Sequence, residues 1–170
     1  MDTRPQNSEA APPYFTYIDQ VADGDIVAIL DGQIENALAG LSAVSEERSL
    51  NRYASGKWSM REMLNHITDT ERVFSFRTLW FARGLTGPLP GFDQNIGVAG
   101  AGADAISWSA HIEEFRRVRL ATVALFGNLS PEAWSRSGTA DGNLFTVRAI
   151  AYILAGHMAH HLAILRERYN

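Results

Sequence analysis

Residues 156–165 read GHMAHHLAIL and hold three of the five histidines of the chain. His157 and His161 are four residues apart, a spacing that stacks two side chains on one face of an α-helix. Two imidazoles so placed can bind one metal ion, as in helix-borne H-x-x-x-H zinc sites. His160 is turned by about 60–100° from the pair, so it can edge such a site without completing it. The stretch is strongly apolar, and an imidazole buried there must find a hydrogen bond or a metal. The same spacing also arises as surface decoration, so the pair alone leaves both readings open.

A third nitrogen is available from His66 in MREMLNHITDTERVF, close to Leu64 and Ile67. Taken alone, His66 reads more readily as a hydrogen-bonded core histidine. Facing His157 and His161, it completes a set of three neutral nitrogens. At about 2.0–2.1 Å from zinc, such a set leaves one position for water, the open arrangement of a catalytic site. His111, near the start of a later helix, is expected to be exposed and outside the site.

Carboxylates near His66 come next. Asp69 and Glu62 lie three and four residues away, within reach on a helix. A metal-bound imidazole usually gives its other N–H to such an acceptor. Asp69 and Thr70 are therefore candidates for support of the ligand or for proton transfer, against a reading as solvated helix surface. Glu62 has a competing role in capping its own helix. Glu71 and Arg72 read as a surface or inter-helix ion pair. In the loop stretch GFDQN, Asp93 is an acidic residue with an aromatic anchor, Phe92, beside it. A loop over the mouth of a bundle could carry Asp93 or Asn95 to the open metal position.

The elements that must hold these residues follow from apolar periodicity. Ile26, Ile29, Leu30, Ile34, Ala37, Leu38 and Leu41 predict a helix over 25–43. A second helix opens at Ser59, where Ser59 and Glu62 form an S-x-x-E capping box, and ends near Gly84. Trp58 precedes the cap and can staple the start of that helix. A third runs over 107–127 on Ile112, Phe115, Val118, Leu125 and Phe126, with Thr122 on the same stripe. The fourth runs from Thr146 towards Tyr169 and is apolar around much of its circumference, the mark of a buried helix. Residues 1–22 read as an extended lead-in, since Pro5, Pro12 and Pro13 oppose helix. Tyr14, Phe15, Tyr17 and Ile18 could still dock on the body. The glycine- and proline-rich stretch 85–104 reads as a long break, either functional or a crossover between bundle halves. Trp80, Phe81, Phe92 and Trp108 read as core or loop anchors. No strand pattern stands out. The expectation is an all-α four-helix bundle, with residues 23–170 as one domain.

Composition narrows the chemistry. The chain has 170 residues, 46% hydrophobic and 20% charged, with a net charge of −4. It has no basic block, so nucleic acid is not an expected partner. It has no cysteine, which removes disulfides, thiolate-ligated metals and a protein thiol nucleophile. No signal peptide or membrane-spanning run stands out, so the expected setting is the cytoplasm, without a membrane partner.

The stretches GKWSMREMLNHITDTERVF, PLPGFDQN and AGHMAHHLAILRERY together resemble the DinB-like, or YfiT-like, superfamily of metal-binding four-helix bundles. The likeness runs from about Asp23 to Tyr169. It implies an up-down-down-up bundle with a long connection between its second and third helices, and His66, His157 and His161 as the metal triad. It implies a homodimer as well. Relatives of this kind include thiol-dependent S-transferases and isomerases, proteins named as metal-dependent hydrolases, and proteins without an established activity. The leading expectation is a divalent-metal enzyme acting on a small molecule. With a metal-activated water it would be a hydrolase. With an external low-molecular-weight thiol it would be an S-transferase. Zinc suits the donor set, with nickel, iron, manganese and cobalt as competitors. The alternatives are a non-catalytic metal- or ligand-binding bundle, and a bundle whose histidines only satisfy one another.

Overall fold

Four side chains mark the starts of four long helices. Asp25 accepts from the Val27 N–H, Ser59 from Glu62, Ser107 from Ala110 and Thr146 from Ala149. Each satisfies a first-turn amide that no helical carbonyl can reach. In the computed structural model, which describes residues 4–169, these helices are α2 (Ile26–Ser42), α3 (Met60–Ala82), α5 (Trp108–Gly127) and α6 (Val147–Arg168). The capping box expected at Ser59 is complete, with the Glu62 carboxylate accepting from the Ser59 N–H at 2.7 Å. Beyond α3, Gly84 takes a φ of 72°, which stops the helix at little steric cost.

The four helices make the expected bundle. α3 packs on α5 and α6, and α2 packs on the same two. Their apolar faces, with Phe145 ahead of α6, form two clusters. One gathers Phe74, Phe81, Phe126, Phe145 and Ile150, and the other Leu64, Ile67, Trp108, Phe115, Met158 and Leu165. No helix among the described residues is long and apolar enough to cross a membrane.

Several local expectations are corrected. Ser137–Ala140 (β1) and Asn143–Thr146 (β2) form an antiparallel hairpin where no strand was expected. Its turn residues Asp141 and Gly142 have φ of 53° and 70°, the positive values that a two-residue Asp-Gly hairpin turn requires. The long break is not wholly irregular, since Gln94–Ala101 form a short helix, α4. Leu89, ahead of it, exchanges backbone hydrogen bonds with Thr139 and Asp141 and so anchors the connection to the hairpin.

The lead-in turns helical where extension was expected. Pro12–Tyr14 form a 3-10 turn, and Phe15–Ile18 form one turn of helix, α1. Ile18 is buried, and α1 lies on α6. The approach is close at Gly156, where an added Cβ would sit 2.0 Å from the Tyr17 carbonyl oxygen. A glycine beside His157 is thus a condition for the N-terminal segment to reach this part of α6. Glu9 fixes the same segment to the start of α6 through the Thr146 hydroxyl and the Arg148 guanidinium.

Candidate metal centre

α3 carries His66 two turns in from its cap, and α6 carries His157 and His161 one turn apart. Packing of α3 on α6 brings the three rings together across 91 residues of sequence. His66 Nε2 lies 3.1 Å from His157 Nε2. Ring centroids are 5.0 Å apart for His66–His157 and His66–His161, and 4.4 Å for His157–His161. One nitrogen from each ring falls within a cluster no wider than 4.8 Å, and among the described residues no carboxylate belongs to it.

All three rings are buried, with 3%, 6% and 8% of their surface exposed for His66, His157 and His161. Burial disfavours the imidazolium. It pushes His66 down to about 4 and His161 to about 3, the latter helped by His66 and His160, and holds His157 well below its ordinary value. At neutral pH each ring therefore keeps a free lone pair, the form that binds metal.

A neutral imidazole has one donor and one acceptor to place. The triad places them poorly within the protein. His66 and His157 share one contact, while Nδ1 of His66 and Nδ1 of His161 are buried without a hydrogen-bond partner. Three nitrogens around one tetrahedral zinc stand roughly 3.3 Å apart, close to the spacing of His66 and His157. The donor set fits a divalent transition ion on chemistry and on spacing.

Aromatic rings flank two members of the triad. Trp58 lies 5.0 Å from the His66 ring, and Tyr17 lies 5.2 Å from His157 and 5.6 Å from His160. His160 is half-buried and stands at the edge, 5.1 Å from His161. Trp58 also lines a cavity of about 260 Å³ with Tyr53, Lys57, Met63 and Asn95. Asn95 thus reaches the neighbourhood of the site through Trp58.

The other candidates lie elsewhere. The half-buried Asp69 pairs with Arg72 at 3.0 Å, and Arg72 continues to Glu114 on α5. Asp93 is exposed and accepts from the Asn95 and Ile96 N–H groups, capping α4. Thr70 is buried, its hydroxyl oxygen without a hydrogen-bond partner. Two expectations fail here. His111 is 1% exposed, because its Nε2 meets the Ala103 carbonyl oxygen at 2.9 Å as the preceding turn folds over it. Glu71 does not pair with Arg72: it holds Arg119 of α5 at 3.0 Å in the bundle interior. Tyr17 escaped the sequence reading as a site residue. Gly156 was the available signal, since a glycine inside a buried helix marks a close backbone approach.

Fold and site define a class: a four-helix bundle with a buried three-histidine cluster shared between two of its helices. The sequence model of the DinB superfamily matches residues 29–165, and the chain belongs to that superfamily. Among solved structures, it is similar to YfiT from Bacillus subtilis, described as a probable metal-dependent hydrolase with an unusual four-helix bundle topology. The TM-score is 0.73 at 16% identity, over 98% of this chain and 91% of YfiT. It is also similar to a mycothiol-dependent maleylpyruvate isomerase, with a TM-score of 0.67 at 14% identity. That match covers 81% of this chain and 58% of the isomerase. A search of the curated proteins finds no match.

Proposed function

We propose that the protein is a divalent-metal-dependent enzyme in which His66, His157 and His161 hold the ion and leave a position for an external nucleophile. The observation that carries this reading is the buried triad itself: three neutral rings, each with one nitrogen inside a cluster no wider than 4.8 Å. Zinc is the proposed metal, with nickel, iron, manganese and cobalt as competitors. When bound, such an ion acts as a Lewis acid that lowers the pKa of a coordinated water or thiol.

The protein residues would do the remaining work. The α3 and α6 backbones fix the three imidazoles, so little reorganisation accompanies ligand binding. Trp58 and Tyr17 keep bulk water from the His66 and His157 rings and lower the local dielectric. A small-molecule substrate would enter past Trp58 and Asn95, with Lys57 supplying positive charge beside the approach. A cytoplasmic setting and a homodimer belong to the same proposal.

Two nucleophiles are considered. Water gives a hydrolase, supported by the structural likeness to YfiT over nearly the whole chain. A small external thiol gives an S-transferase, and one observation favours it. Glu62 caps α3, Asp69 pairs with Arg72 and Glu71 pairs with Arg119, so the acids of α3 have partners away from the triad. A thiol activated by the metal needs no general base, whereas hydrolysis usually recruits one. Turnover assays on the metal-loaded protein test the choice. Ester and amide panels without thiol report the hydrolase, and electrophiles with a panel of small thiols report the transferase. Turnover lost in His66→Ala supports the shared reading. No turnover in either panel, with metal bound, leaves the non-catalytic binding bundle in its place.

A further inference from the structure

A second cavity lies between α2 and α6, with a volume of about 550 Å³. That size falls within the roughly 300–1,000 Å³ common for small-molecule sites. None of the triad lines it. Met158 and Leu162 each stand one residue beyond a triad histidine, about 100° around α6 from it. The cavity and the metal centre thus use different faces of the same helix.

Much of its wall is apolar, with Gln33 and Asn36 adding uncharged polar groups. Ala37, Leu41, Met60, Met158, Leu162 and Leu165 all line it. Two of these are methionines, Met60 and Met158, which are 2% and 1% exposed, and the Met158 sulfur accepts from Arg119. Charge is confined to Arg48 and Arg166, both exposed, and no aspartate or glutamate lines the cavity. In a chain of net charge −4, this is a local reversal of sign. Arg48 donates to the Tyr169 carbonyl at 2.9 Å. Among the described residues, neither arginine forms an ion pair with a carboxylate. An apolar wall with two available guanidinium groups is complementary to one kind of guest, a hydrocarbon body ending in an anion.

We propose that this cavity binds a small amphipathic carboxylate, its hydrocarbon part on the methionine and leucine wall and its carboxylate at Arg48 and Arg166. The site is separate from the metal centre and does not depend on the activity proposed for it.

Calorimetric titration of the purified protein with decanoate and with decanol tests the proposal. Decanoate is expected to bind, and decanol to bind about tenfold more weakly. The double variant Arg48→Gln/Arg166→Gln should weaken decanoate by about tenfold and leave decanol unchanged. Gly40→Phe should abolish both, because Gly40 lines the cavity and a Cβ there meets no atom within 4 Å. Metal content should be the same in all these proteins. Equal binding of the two probes overturns the proposal, as does decanoate binding that survives Gly40→Phe, which would place the carboxylate elsewhere. Absence of decanoate binding overturns it too. If sedimentation then shows a dimer that Gly40→Phe splits, the cavity is covered by a second copy of the chain.

Discussion

Two of the polar clusters buried in the bundle differ in how they are satisfied. In the first, Arg119 is 0% exposed and Glu71 is 2% exposed. Arg119 Nη1 donates to both Glu71 oxygens, and Nη2 donates to Gln33 Oε1 and the Met158 sulfur. Gln33 in turn donates to the Ala155 carbonyl. Only Arg119 Nε is left over. The cluster ties α2, α3, α5 and α6 together, and its charges cancel internally. In the second, three imidazoles share one contact and keep two buried nitrogens without a partner. The first cluster closes on itself, as a structural polar core does. The second brings one nitrogen of each ring within 4.8 Å of the others, an arrangement that a cation completes.

Breaking the first cluster should produce the largest effect on folding. Arg119→Ala strands the Glu71 carboxylate in the interior, and urea unfolding should show a loss of about 3–5 kcal/mol. Arg119→Met with Glu71→Leu should lose markedly less, because no unpaired charge remains. A loss under about 1 kcal/mol for Arg119→Ala would make the two clusters energetically alike.

The second cluster should reveal itself in acid. In metal-free protein, the folded values of about 4 for His66 and 3 for His161 lie below the ordinary 6.5. The unfolded chain therefore takes up more protons as pH falls below 6.5, and stability drops until the folded rings titrate near pH 4 and 3. Urea midpoints measured between pH 7 and pH 4 should show this slope, and His66→Ala/His161→Ala should flatten it. An unchanged slope would mean that these rings are not held neutral.

Two smaller changes probe the surroundings of the triad. Gly156→Ala should cost about 1–3 kcal/mol by driving a methyl against the Tyr17 carbonyl. Hydrogen exchange should then rise in 12–18 and stay low in α3. Asp69→Asn removes a partly exposed ion pair and should cost less than about 1 kcal/mol, with metal retained. A large loss of turnover in that variant, at full metal content, would instead make Asp69 a proton carrier.

What the sequence disclosed follows from range. Helix starts at Ser59 and Thr146 are local matters of cap and periodicity, and they were legible. So was the single face shared by His157 and His161, which needs only the helical repeat. His66 could be matched to that pair because it sits in an apolar helical stretch and because the resemblance to the DinB-like superfamily implies it as the third ligand. Features set by distant packing were not legible. The Tyr17 ring reaches His157 only because Gly156 admits α1, and His111 is buried only because residues 103–105 turn over it. The burial of Arg119 depends on Glu71, 48 residues away. The hairpin was locally signalled by Asp141-Gly142, but its strands are only four residues long and alternate weakly.

The central claim is that His66, His157 and His161 form one metal site. Metal analysis of untagged protein purified under metal-replete conditions tests it directly, alongside His66→Ala, His157→Ala and His161→Ala. The expected result is a stoichiometric divalent ion in the parent protein and its loss in each variant, with all four remaining folded. Negligible metal in the parent, or the same content in the variants, would contradict it.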